Sequence, residues 1–232
     1  METTDHADAI APIQRHLRPI GIAGWAATAL LFGGQFVMLA GGPTEPAFDA
    51  PAAEIQHFFE TRAPTLVAVG SCLQMLGLLA LLWFVCGLTA ALRRRPTRHE
   101  WLPTVVLASG IAAVGCLLVG SLQAAAFRAG EGLDPQLARF AFDIGNLTFA
   151  NAWVALGSLA VASGWAILAS RAEPGWLGWC AVAAGVGLVA ARTVWTTSWW
   201  LLPYALFWLW VLVISTRMLR NQETSADPRA VL

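Results

Sequence analysis

Long stretches without a single charge decide what this chain can become. Six such runs lie between Arg18 and Glu45, Arg62 and Arg93, Glu100 and Arg128, Asp143 and Arg171, Glu173 and Arg192, and Arg192 and Arg217. They are 26, 30, 27, 27, 18 and 24 residues long. A helix crosses the hydrocarbon core of a bilayer with roughly 20 apolar residues, because its backbone N–H and C=O groups must all be satisfied internally. Five runs exceed that length, and the 18-residue run reaches it once the Arg192 side chain extends to the interface. The expectation is an all-α polytopic membrane protein, a six-transmembrane-helix bundle. Its spans are expected near residues 20–41, 64–92, 101–126, 144–170, 175–195 and 198–217, with tails at 1–19 and 218–232.

Composition agrees. Hydrophobic residues make up 57% and charged residues 12%, about half the charged fraction of soluble domains. Those values exclude a disordered chain, an ordinary soluble enzyme and a nucleic-acid partner. All basic residues are arginine. With the N-terminus inside, Arg15, Arg18, Arg93, Arg94, Arg95, Arg98, Arg171, Arg217, Arg220 and Arg229 are cytoplasmic, and Arg62, Arg128, Arg139 and Arg192 are outside. That bias predicts cytoplasmic termini. The first span is expected to stay as an anchor, because a 19-residue polar stretch precedes it and it is longer than the apolar region of a signal peptide.

Motifs for metals, cofactors and covalent catalysis are missing from the sequence. Cys72, Cys86, Cys116 and Cys180 fall inside spans without a CxxC pair and read as small packing residues. His6, His16, His57 and His99 lie outside the spans, which argues against haem held by histidine pairs. His99-Glu-Trp-Leu-Pro103 lacks the second histidine of a zinc-protease motif. No metal and no cofactor is expected.

The first outer loop carries a helix signal. Asp49 and Pro51 suit a helix start, and Ile55, Phe58 and Phe59 then share one face. The segment reads as an amphipathic helix lying on the bilayer or lidding the bundle. In a sharper reading, Glu54 and His57 form a site pair beneath that lid. Further along, Asp134-Pro135 predicts a second helix start whose helix runs unbroken into the fourth span.

Placed by depth, the polar residues of the spans gather in the outer half. Gln35, Gln74 and Gln123 lie there on helices 1, 2 and 3; Asp143, Asn146 and Asn151 on helix 4; Arg192, Thr196 and Thr197 at the end of helix 5. Lipid cannot satisfy such groups, so they face inward or pair. Arg139 can pair with Asp143 one turn on, or Asp143 can meet Arg192. Two readings follow. In the first, the amides are glue, cross-linking helices at about 1 kcal/mol per hydrogen bond. Alternatively they line a cavity open to the outer half, with Gln74, Gln123, Arg139, Asp143, Asn146, Trp153 and Arg192 as ligand-binding candidates. Trp83, Trp153 and Trp165 sit deeper and are candidates for an aromatic pocket.

Small residues recur on helices 3 and 5, at Ala108, Gly110, Ala112, Gly115 and Gly120 and at Ala181, Ala183, Gly185 and Gly187. They predict close helix packing, with a homodimer as the second reading. Arg93, Arg94, Arg95 and Arg98 are expected to touch anionic headgroups of membrane lipids. No span carries the paired Gly/Pro interruption of many transporters.

Four segments carry a resemblance. They are Asp49-Ala-Pro-Ala-Ala-Glu54 with Phe58-Phe59, Leu137-Ala-Arg-Phe-Ala-Phe-Asp143-Ile-Gly145-Asn146, Trp176-Leu-Gly-Trp179, and the run from Pro203 through Trp208-Leu-Trp210-Val-Leu212. Together they resemble a family of six-helix membrane proteins of unknown function from high-GC bacteria. The resemblance implies a bacterial inner-membrane location and assigns no activity.

Three function classes remain. The first is a non-enzymatic protein binding a lipophilic or amphipathic small molecule, or a partner, in an outer cavity. The second is a membrane enzyme of the terpenoid cyclase or isomerase type. It would use Asp143 or Glu54 as acid, His57 as relay and Trp153 as cation stabiliser. The third is a transporter.

Overall fold

A computed structural model describes residues 17–40, 42–95, 99–171 and 173–223. His6, Arg15, His16, Thr97, Arg98 and Arg229, with most of both tails, lie outside the described residues. The described chain is helical without a strand, and six of its helical segments are long and apolar enough to cross a membrane. The helices are α1 (Leu17–Leu39), α2 (Ala52–Glu60), α3 (Pro64–Arg93), α4 (Leu102–Leu117), α5 (Ser121–Arg128), α6 (Pro135–Ser170), α7 (Gly175–Ala191) and α8 (Leu201–Glu223).

The span expected near 101–126 corresponds to Leu102–Glu131, and it is interrupted: α4 stops at Leu117 and α5 begins at Ser121. The chain leaves helical geometry at Gly120 (φ −89°, ψ 38°), and glycine is a poor helix former because it loses the most backbone entropy on folding. The amides of Leu118 and Val119 still close on the carbonyls of Val114 and Cys116, and Ala124 N restarts the ladder on the Gly120 carbonyl. Hydropathy misses such a break, because the residues on both sides of it are apolar.

The longest helix follows. α6 has 36 residues, about 54 Å at the α-helical rise and well beyond a ~30 Å hydrocarbon core. Its start is fixed chemically. The Asp134 carboxylate accepts from the amides of Gln136 (2.8 Å) and Leu137 (3.2 Å), and Pro135 fills the first helical position.

The spans close into a ring: α1 packs on α3, α3 on α4, α4 on α6, α6 on α7, α7 on α8 and α8 back on α1. Glycines make the tightest seams. A Cβ on Gly34 of α1 would sit 2.6 Å from the Gly70 carbonyl of α3, and one on Gly157 of α6 would sit 2.7 Å from the Gly185 carbonyl of α7. Without a hydrophobic drive between helices in lipid, such backbone approach supplies the dispersion contacts. On α4 the small residues divide: Gly110 is buried against Val85, whereas Ala108, Ala112 and Gly115 face outward.

The two ends of the ring differ. One carries Arg18, Arg93, Arg94, Arg95, Arg171, Arg217 and Arg220 and is called here the arginine-rich end. The other is covered by α2, α5 and the first turns of α6, and forms a cap.

Candidate functional site

The cap has its own small core. Ile55, Phe58 and Phe59 of α2 pack with Ala125, Ala129, Leu133, Ala138 and Phe142. The i, i+3, i+4 spacing puts the three α2 residues on one stripe, so a single helical face is covered. Glu54 and His57 lie on the exposed face of α2, and Gln56 donates to Glu60 at 2.8 Å.

Two arginines fasten the cap. Arg62 is only 7% exposed. Its guanidinium donates to the carbonyls of Met38 (3.4 Å), Leu39 (2.8 Å) and Pro43 (2.6 Å) and lies 4.3 Å over the Phe58 ring. The first two carbonyls end α1, where helical acceptors lack partners and the helix dipole is negative; the third lies in the loop that follows. Burial pushes the Arg62 guanidinium below its usual value, and the Glu45 carboxylate opposes that shift. Glu45 itself is raised because protein crowds its carboxyl, although much of the residue stays exposed, and Arg62 pulls it back.

Arg139 is the second fastener. Its Nε reaches both Asp143 oxygens, at 2.9 and 3.1 Å, while Nη1 donates to the Ala50 carbonyl at 2.8 Å. The guanidinium also stacks 5.5 Å from Phe48, which meets Trp195 edge-on at 4.4 Å. Asp143 therefore pairs within its own helix. Arg192 turns to Asn151 Oδ1 (3.0 Å) and lies over the Trp195 ring.

Below the cap the amides form a chain. Gln74 donates to Gln35 at 2.7 Å, and Gln123 donates to Gln74 at 3.3 Å. One residue from each of α1, α3 and α5 is thus joined. Asn146 donates to the Phe142 carbonyl on its own helix at 3.0 Å. Trp153 is buried, stacked on Trp200 at 5.1 Å and edge-on to Phe149 at 5.4 Å. Phe149 also meets Tyr204, which meets Phe32 and Trp208, so aromatic rings fill this part of the interior. Trp83 and Trp165 point away from it and are 68% and 48% exposed. Depth located those tryptophans, but the direction around the helix decided their environment.

The candidates thus fall into separate groups. Gln74 and Gln123 meet; Arg139 and Asp143 meet; Trp153 meets Trp200; Arg192 meets Asn151. Glu54 and His57 join none of these. Arg62 carries the most buried charge in the described chain and was readable only as a topology marker. Its signal was position: an arginine placed just before the Ala63-Pro64 helix start, within reach of the preceding helix end. Among the described residues no group of three or more His, Cys, Asp or Glu is placed to hold a metal.

Accessible space lies elsewhere. A groove of about 680 Å³ runs along Thr197, Ser198, Trp199, Leu201 and Leu202 at the cap end. A second, of about 470 Å³, lies between α1 and α8 at the arginine-rich end. Both open to the surface. Acid chemistry on a hydrophobic substrate needs a carboxylic acid in an enclosed apolar pocket. Glu54 is exposed and Asp143 is half-buried beside its arginine, so neither occupies such a position.

Comparison with protein-family models, curated proteins and solved structures finds no match to this chain. The architecture alone therefore identifies it as a multi-pass, six-helix membrane protein.

Proposed function

We propose that the chain is a bacterial inner-membrane protein with both termini in the cytoplasm, which binds an amphipathic small molecule non-catalytically at its outer face. One observation carries the reading: the open groove at residues 197–202. There the side chains of Thr197 and Ser198 stand beside Trp199 and Leu202, which are 75% and 74% exposed. Large apolar groups beside hydroxyls suit a molecule that is apolar along its body and polar at one end. Trp200, between them in sequence, is stacked on buried Trp153, which anchors the turn. Arg192 at the start of the same turn offers a cation to an acidic head group.

The glutamine chain does not carry the binding. Its groups satisfy one another, which favours a structural role for Gln74 and Gln123 over ligand contact. The broken third span does not favour transport. α4 spans 16 residues, about 24 Å, so the break lies near the cap end. Transporter sites sit near the midplane. Beyond the break, α5 contributes Ala125 to the cap core.

The test is photo-crosslinking of the full chain in vesicles with an amphipathic probe carrying its reactive group near the headgroup. Adducts are expected within residues 192–202 and should fall several-fold in Trp199→Ser/Leu202→Ser. Adducts confined to the arginine-rich half of the bundle would overturn the reading.

A further inference from the structure

The second groove lies at the opposite end and is independent of the outer one. α1 supplies the Trp25 indole and α8 supplies Leu209, Leu212 and Val213. The polar atoms along it are committed: Trp25 Nε1 donates to Thr216 Oγ1 (3.1 Å), which donates to the Leu212 carbonyl (2.8 Å). Beside them runs a strip of apolar wall, with Arg217 and Arg220 at its end.

Arg217 is held in place. Its Nε donates to Glu173 Oε2 at 2.7 Å, and Glu173 stands in the connection between α6 and α7. A guanidinium has five N–H donors in a planar fork, so one carboxylate on Nε does not exhaust it. Arg220 lies about one helical turn further along α8 and is exposed.

We infer that this groove binds one anionic phospholipid of the arginine-rich leaflet. The phosphate lies at Arg217 and Arg220, and one acyl chain lies along Trp25, Leu209, Leu212 and Val213. Charge complementarity selects this occupant. Basic pockets between transmembrane helices, at headgroup depth, recognise anionic headgroups. A second copy of the chain related by two-fold symmetry would bring the same two arginines towards their own counterparts, which repel.

The experiment uses the full chain in a zwitterionic detergent, titrated with brominated phosphatidylglycerol or brominated phosphatidylcholine. Bromine quenches nearby tryptophan, and the difference between the wild type and Trp25→Phe isolates the groove. Phosphatidylglycerol should bind more tightly, and Arg220→Gln should cut that preference about fivefold, the equivalent of ~1 kcal/mol per arginine. Arg94→Gln, at the same end but outside the groove, should change it less than twofold. Native mass spectrometry of wild type and Arg220→Gln, scored for retained phosphatidylglycerol, checks the result without the Trp25 variant. Equal affinity for the two lipids would overturn the inference. So would an Arg94→Gln effect as large as that of Arg220→Gln, or the absence of Trp25 quenching and retained lipid together. The last result would leave the groove to a second copy or to another part of the chain.

Discussion

Gly164 of α6 and Gly178 of α7 touch through their backbones: a Cβ on Gly164 would lie 2.5 Å from the Gly178 carbonyl oxygen. No rotamer change relieves a clash with backbone, so the helices must move apart. Gly164→Val should destabilise the fold by about 3 kcal/mol or more. Gly115→Ala meets nothing within 4 Å and should be neutral or stabilising by about 0.5–1 kcal/mol. Unfolding in mixed detergent with increasing SDS measures both.

Arg62 should be the most sensitive polar residue of the cap. Arg62→Met keeps much of the apolar stem over Phe58 but abandons two carbonyls at the end of α1 and one in the loop after it. Charge-assisted hydrogen bonds are worth about 1.5–3 kcal/mol each in favourable cases, so a loss of about 2–4 kcal/mol is expected. Hydrogen exchange should accelerate at residues 52–60 and at the end of α1, and stay unchanged near Arg217.

Asp143 and Arg139 are partners with unequal roles. The pair is a half-buried i, i+4 contact, so Asp143→Asn should cost no more than about 1 kcal/mol. Arg139→Gln also loses the Ala50 carbonyl and the stacking on Phe48, and should cost about 1–2 kcal/mol. Equal losses in the two variants, read from unfolding midpoints, would contradict this ordering.

The glutamine chain predicts non-additivity. Gln74→Leu strands Gln35 and Gln123 together and should cost about 1–2 kcal/mol. Replacing all three by Leu leaves no stranded amide and should recover most of that loss. If the triple variant is instead the worst of the set, the amides do more than join helices.

The sequence was most legible where the bilayer dictates the answer. Charge-free runs gave six spans because lipid offers no partner for a charge or an unpaired backbone group. Asp134-Pro135 marked the start of α6, and the spacing of Ile55, Phe58 and Phe59 marked the covered face of α2. Azimuth was less legible. Trp83, Trp153 and Trp165 all lie well inside a span, yet only Trp153 enters the core. The break before Ser121 was hidden because apolar residues flank Gly120. Arg62 was hidden because an arginine at the edge of a span looks alike whether it faces water or stitches carbonyls together. At the candidate site, position along the spans put the polar residues in the same half of the bundle. Which of them would meet depended on side-chain reach across helices.

The reach of the two cap arginines along the chain also orders assembly. Arg62 bonds residues 19 to 24 positions earlier, so the first hairpin can lock once α3 has entered the bilayer. Arg139 reaches Ala50, 89 positions back, and the cap core needs Ala138 and Phe142 of α6. Until the fourth span emerges from the insertion machinery, Phe58 and Phe59 lack the cover of Ala138 and Phe142. A stalled or truncated nascent chain therefore displays a greasy flag on one side of the membrane. The finished protein conceals it, and a quality-control protease could read the difference.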